Sequence, residues 1–134
     1  MAITFTVPGD PVPQPRPRVT TRNGFARAYV PKKHPIHAYR EAVAYGAKLA
    51  GVQLRGEDPA TVAIKFVVAR PPSHLNKSGV KASAPAYPSG DVDNVAKAVL
   101  DALTGVAWAD DKQVVSLFVE KSWGTESLTE VKIW

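Results

Sequence analysis

A single α/β domain is predicted for this chain, with a mixed β-sheet and two main α-helices in the order β-α-β-α-β-β. Three observations predict it. The 134 residues are 45% apolar, enough for one domain with a real core. Two stretches, beginning near residues 35 and 91, repeat apolar residues at helical spacing. Four others alternate apolar and polar residues or run β-branched, as strands do.

Residues 3–7 (ITFTV) place Ile3, Phe5 and Val7 on one face and Thr4 and Thr6 on the other, a half-buried strand closed by Pro8, Gly9 and Pro11. Residues 11–40 contain no acid and seven bases: Arg16, Arg18, Arg22, Arg27, Lys32, Lys33 and Arg40. Pro13, Pro15 and Pro17 hold this arm extended, so Arg16 and Arg18 point the same way. Phe25 and Tyr29 are interleaved with the bases, and Asn23-Gly24 signals a hairpin. Such an arm either tracks phosphates or is a solvated basic loop.

Pro35 suits the first turn of a helix whose buried face is Ile36, Tyr39, Val43 and Ala47, ending at Gly51. His34 and His37 read as surface residues, since no third ligand stands nearby at metal spacing. Residues 61–69 (TVAIKFVVA) are apolar on both faces, which places this strand centrally. Residues 70–90 are rich in Pro, Ser and Gly and read as a long basic loop carrying Arg70, Lys77 and Lys81, functional or flexible. On the second helix Asp93, Asn94, Lys97 and Asp101 share one arc, while Val92, Val95, Ala96, Val99 and Leu103 lie elsewhere. Residues 113–121 follow as a strand with Val115, Leu117 and Val119 on one face, and residues 128–133 return as the last. Val115, Leu117, Phe118 and Trp123 suit either a core or an interface.

Charge divides the chain. Residues 1–90 hold 13 Lys/Arg against 4 Asp/Glu, a net +9, and residues 91–134 hold 4 against 8, a net −4. A basic half suits a polyanion, and an acidic half suits a cation. No cysteine is present, which excludes thiolate metal sites, thiol nucleophiles and disulfides and fits a cytoplasmic protein. There is no apolar run near the ~20 residues of a membrane helix, and no signal-peptide pattern at the N-terminus. P-loop, G-x-S-x-G and HExxH motifs are absent.

What remains is GDVDNVAKAVLDALTGVAWADDKQ, residues 90–113. Asp91 and Asp93 flank one residue at a loop-to-helix junction and converge on one ion if Asp91 is non-helical. Asp110-Asp111 can bring a third carboxylate just before a strand. All-oxygen ligands of this kind suit Mg²⁺, with Mn²⁺ as a substitute. Lys97, one turn after Asp93, can stabilise negative charge on a phosphate. Each residue also has a plainer job: Asp91 as a helix cap, Asp93 with Lys97 as an exposed i,i+4 pair, Asp110-Asp111 as turn residues. D-x-D alone is unspecific, since glycosyltransferases and phosphatases also use it.

Together, GDVDNVAKAVLDAL and WADDKQVV resemble the D-x-D-N-x-x-K-x-x-x-D-A-L helix and D-D-x-Q-[VI]-V strand of the RusA-type Holliday-junction resolvases. The likeness extends to a P-x-P-x-x-R-P-R arm and spans most of the chain, residues 1–134 forming one RusA-like domain. It implies a homodimeric, Mg²⁺-dependent endonuclease of bacterial or phage origin that nicks four-way DNA junctions in recombination and repair. Carried over, it makes Asp91, Asp93 and Asp111 metal ligands and Lys97 an active-site base or charge stabiliser, with Asp101 and Asp110 in support. Lys121 matches a basic position suited to a phosphate contact. Some members carry arginines directly before the first aspartate where this chain has Tyr87-Pro88-Ser89-Gly90, which shifts DNA contact to Lys77, Lys81 and an arm of Arg16, Arg18, Arg22 and Arg27. A flap- or fork-selective nuclease and a non-catalytic DNA-binding module are the alternatives.

Overall fold

The computed structural model describes residues 2–21 and 24–134. Four long strands form one mixed sheet: β1 (Ile3–Pro8), β4 (Ala60–Ala69), β7 (Val114–Gly124) and β8 (Leu128–Ile133). Two helices, α1 (Ile36–Leu49) and α2 (Val92–Leu103), precede β4 and β7. The β-α-β-α-β-β order of the sequence is therefore the order of the fold. Two small hairpins are added, β2 (Arg18–Thr20) with β3 (Arg27–Tyr29), and β5 (Leu75–Asn76) with β6 (Gly79–Val80).

The sheet order is β1-β8-β4-β7, with β8 antiparallel to both neighbours and β4 parallel to β7. A strand that is apolar on both faces belongs in the interior of a sheet, and β4 lies there. On its helix-covered face Val62, Ile64 and Phe66 are buried, beside Val131 and Ile133 of β8 and Phe5 and Val7 of β1. α1 packs on β1 and α2, and α2 packs on β7. The buried residues of α1 are Ile36, Tyr39, Val43 and Ala47, the four that helical spacing selects. At its N-terminus the backbone N–H of Ile36 donates to His34 Nδ1 at 3.0 Å, and His37 Nε2 meets the Pro31 carbonyl at 3.0 Å. Both histidines therefore fasten the helix entry.

β7 departs from simple alternation. The register with β4 shifts between Ala60 and Thr61, pairing Ala60 with Val114 and Thr61 with Ser116. Val115 is the extra residue and is 68% exposed. The expected face of Val115, Leu117 and Val119 is thus corrected to Val114, Leu117 and Val119. Val92, expected with the apolar residues of α2, is also left exposed.

Tyr39 hydroxyl shares a hydrogen bond with Thr129 Oγ1, joining α1 to β8 in the core. Burial pushes the Tyr39 hydroxyl from its ordinary 10.0 up to about 12, with the Thr129 hydrogen bond pulling weakly the other way. A raised value in the folded state gives stability that is intact below 10.0 and lost as pH rises through about 12. Wild-type stability is expected to fall across that window by up to ~1.4 kcal/mol per pH unit, and Tyr39→Phe to remove that share of the slope. Urea midpoints of both proteins, compared below and within the window, measure it.

Candidate active site

Asp91 occupies the N-cap of α2 with extended backbone (φ −84°, ψ 129°), and its side chain makes no capping hydrogen bond. The carboxylate is exposed and uncommitted, although the position is one where Asp usually caps. Gly90 (φ 97°) makes the bend before it. Lys121 Nζ donates to the Gly90 carbonyl at 2.7 Å and lies 5.4 Å from the Tyr87 ring. At the other end of this turn Trp123 Nε1 and Arg70 Nη1 both donate to the Pro85 carbonyl, at 3.0 and 3.2 Å. Side chains from the end of β7 and just after β4 thus hold the segment that delivers Asp91.

Past α2 the chain reverses at Gly105 (φ 88°), and the fully buried Trp108 anchors the return. A 3-10 turn, Asp111–Gln113, follows, with Asp110 as its N-cap. Asp110 Oδ1 accepts from the Lys112 N–H at 2.9 Å, and Gln113 Oε1 accepts from the N–H of Ala109 and of Asp110. This reciprocal pattern is a capping box. Gln113 Nε2 also donates to the carbonyls of Gly56 and Asp58, at 2.7 and 3.0 Å. Asp110 therefore does the turn's work, and the Asp111 carboxylate makes no ion pair or side-chain hydrogen bond among the described residues.

Asp93, Lys97 and Asp111 line one shallow depression between α2 and β7, with Val92, Ala96, Leu117 and Val119 as its apolar surround. Asp111 also borders an adjoining hollow with Arg40, Asp101 and Asp110. Asp91 lines neither, and no group of three potential metal ligands is gathered among the described residues. Of the two acids one turn from Lys97, Asp101 takes the ion pair, at 3.4 Å. Arg40 Nη2 reaches the other Asp101 oxygen at 3.6 Å and also donates to Gln14 Oε1.

Gln14 carries the arm to this site: its N–H donates to the Asn94 carbonyl at 2.9 Å, in the first turn of α2. Arg16, Arg18 and Arg27 are exposed and make no ion pair among the described residues, and Arg22 lies outside those residues. Lys77 and Lys81 are exposed beside the β5–β6 hairpin, in the stretch expected as a loop without regular structure. Arg40, Gln14 and Gln113 are site residues that sequence reasoning missed. Gln113 alone had a local signal, since Asp110 and Gln113 stand at capping-box spacing.

No helix among the described residues is long and apolar enough to cross a membrane. Compared with known proteins, residues 8–134 match the family model described as endodeoxyribonuclease RusA. The chain is also 35% identical over 136 residues to a Bacillus subtilis (strain 168) protein named "Uncharacterized protein YqaN", covering 98% of this chain and 94% of that one. With nearly the whole chain matched, and the fold that the resemblance implies, this protein belongs to the RusA endodeoxyribonuclease family.

Proposed function

We propose that the protein is a Mg²⁺-dependent endonuclease that resolves four-way DNA junctions by paired nicks, acting as a homodimer in recombination and repair. The observation that carries this is the shared depression of Asp93, Lys97 and Asp111, with Asp111 freed by the capping role of Asp110. Mg²⁺ is commonly held through one or two carboxylates, with waters and substrate phosphate completing its shell. Asp93 and Asp111 would supply such a pair, hard oxygen donors on an exposed surface, and Asp91, which lines neither hollow, would become a third donor only if the ion or the substrate drew it in. Bound there, the ion supplies polarisation of the phosphoryl oxygen and a more acidic water. Mn²⁺ satisfies the same donors.

The chain's own residues do the rest. Lys97 presents a cation beside the acids, where it offsets charge on the phosphate under attack. Asp101 holds Lys97 from the next turn. The arm supplies Arg16, Arg18, Arg22 and Arg27 for backbone contacts, and the β5–β6 hairpin adds Lys77 and Lys81. Two symmetric nicks need two equivalent sites, which a two-fold dimer provides. Val115 and Phe118 support that reading, because they are exposed on the edge strand β7 and belong to no core. The reaction suits the cytoplasm of a bacterium or of a phage's host.

The decisive experiment incubates protein and Mg²⁺ with a mobile four-way junction, a fork, a flap and a linear duplex. Equal cutting of linear duplex overturns the proposal, and preference for fork or flap moves the substrate there. Replacing Arg16 and Arg18 together by Ala is expected to weaken junction binding and to lower the salt slope by about 1–2. An unchanged slope in salt titrations removes the arm from the interface.

A further inference from the structure

A second cavity shares Val92 with the acidic depression. Its volume is about 480 Å³, within the ~300–1,000 Å³ of small-ligand sites. Its wall includes Pro11 and Pro13 of the arm, Phe66 and Val68 of β4, Pro88, Lys121 and Trp123. Val92 belongs to both depressions and sits between Asp91 and Asp93 in the chain. It is also the apolar residue of α2 that the core leaves exposed. The opening is lined both by the start of the basic arm, Pro11 and Pro13, and by Val92, the neighbour of Asp93.

We propose that this cavity takes an unstacked nucleobase next to the cut site, an inference that rests on the branched-DNA reading above. The wall is mainly apolar, and its cation, Lys121, already donates to the Gly90 carbonyl, which suits the face of a base better than a phosphate. Asp10 stands at the rim, exposed and with no ion pair among the described residues. Its carboxylate repels phosphate oxygens and accepts hydrogen bonds from an exocyclic amino group. Trp123 is already fixed: its Nε1 is bonded to the Pro85 carbonyl, Arg70 lies 4.9 Å from its ring, and His74 meets it edge-on at 5.3 Å. A wall fixed in advance loses little freedom when a base stacks on it.

The pocket also answers a problem the acidic depression leaves open. Arginines, and a metal ion held by carboxylates, recognise phosphates, and linear duplex offers as many of those as a branch does. Base pairs at an open branch point lose a stacking neighbour, so a base there costs less to unstack than one within intact duplex. Reading such a base makes the choice of branched DNA a property of a cavity one residue from the metal-binding acids.

The test is a cycle between protein and DNA, read as binding without divalent metal. A four-way junction carries one abasic nucleotide, moved step by step along the strands around the branch. For wild-type protein one position is expected to weaken binding about tenfold to a hundredfold. Val68→Phe, which fills the cavity with apolar volume, is expected to weaken binding of the intact junction by a similar factor and to cost nothing further on that abasic junction. Wild-type affinity of Val68→Phe for the intact junction, or losses that multiply at every position, overturns the proposal. Asp10→Ala, at an exposed position, keeps the test independent of core repacking. It is expected to erase an about tenfold preference for adenine or cytosine over thymine at the sensitive nucleotide, and an unchanged preference overturns the proposal. Cleavage plays no part in these readouts. A protein that binds this way and never cuts overturns the endonuclease reading alone, and one that cuts but ignores the missing base overturns the pocket alone.

Discussion

Asp111→Asn is expected to lower single-turnover junction cleavage by at least about a hundredfold while junction binding without metal stays the same or tightens. Outer-shell partners of metal ligands already cost about 10–100-fold when lost, so a direct donor costs no less. Binding does not suffer because the substitution removes a negative charge that faces phosphate. Asp93→Asn is expected to match it, since both carboxylates border the same depression. The informative contrast is the neighbour. Asp110→Asn keeps a side-chain oxygen for the Lys112 N–H, and Asn caps about as well as Asp, so its cleavage is expected within a few-fold of wild type. Asp110→Ala removes the cap at a cost of ~1 kcal/mol and loosens the turn that presents Asp111. Normal cutting by Asp111→Asn with loss in Asp110→Asn exchanges the roles of the two acids. Asp91→Asn decides whether the third donor matters: a loss as large as that of Asp111→Asn brings Asp91 to the ion.

The contrast between these acids marks how far the sequence reaches. Strands and helices were legible because one buried face imposes its period on the residues, as in Ile36, Tyr39, Val43 and Ala47 of α1. β4 was legible as central because both its faces are apolar. Val115 was not, since a period of two cannot show an inserted residue until the partner strand fixes the register. The candidate acids were legible because charge stands out against an apolar helix. Their division of labour was not, because it depends on which backbone N–H groups the turn at Asp111–Gln113 leaves open. Arg40 was counted with the free bases of the arm. Its partners Asp101 and Gln14 lie 61 residues after it and 26 before it, and only the packing of α1 on α2 brings the three together.

That grouping has a consequence for catalysis. Gln14, Arg40, Asp101 and Lys97 form one chain of contacts from the arm to the acidic depression. At side-chain exposures of 29% for Asp101 and 58% for Lys97, their ion pair contributes at most ~1 kcal/mol to stability. Its value is positional: Asp101 draws Lys97 toward itself from the side of the helix that Arg40 fixes. Lys97→Met is expected to lower the cleavage rate constant about 10²–10³-fold, the usual cost of losing a group that stabilises transition-state charge. Junction affinity without metal is expected to change by only a few-fold, because the proposed interface draws most of its phosphate contacts from the arm. Asp101→Asn is expected to cost about tenfold with melting temperature unchanged. If Asp101 acts through Lys97, as proposed, the double variant Lys97→Met/Asp101→Asn should cut no more slowly than Lys97→Met alone. Losses that multiply in the double variant show that Asp101 acts by itself, and a fall in melting temperature with Asp101→Asn makes the pair structural.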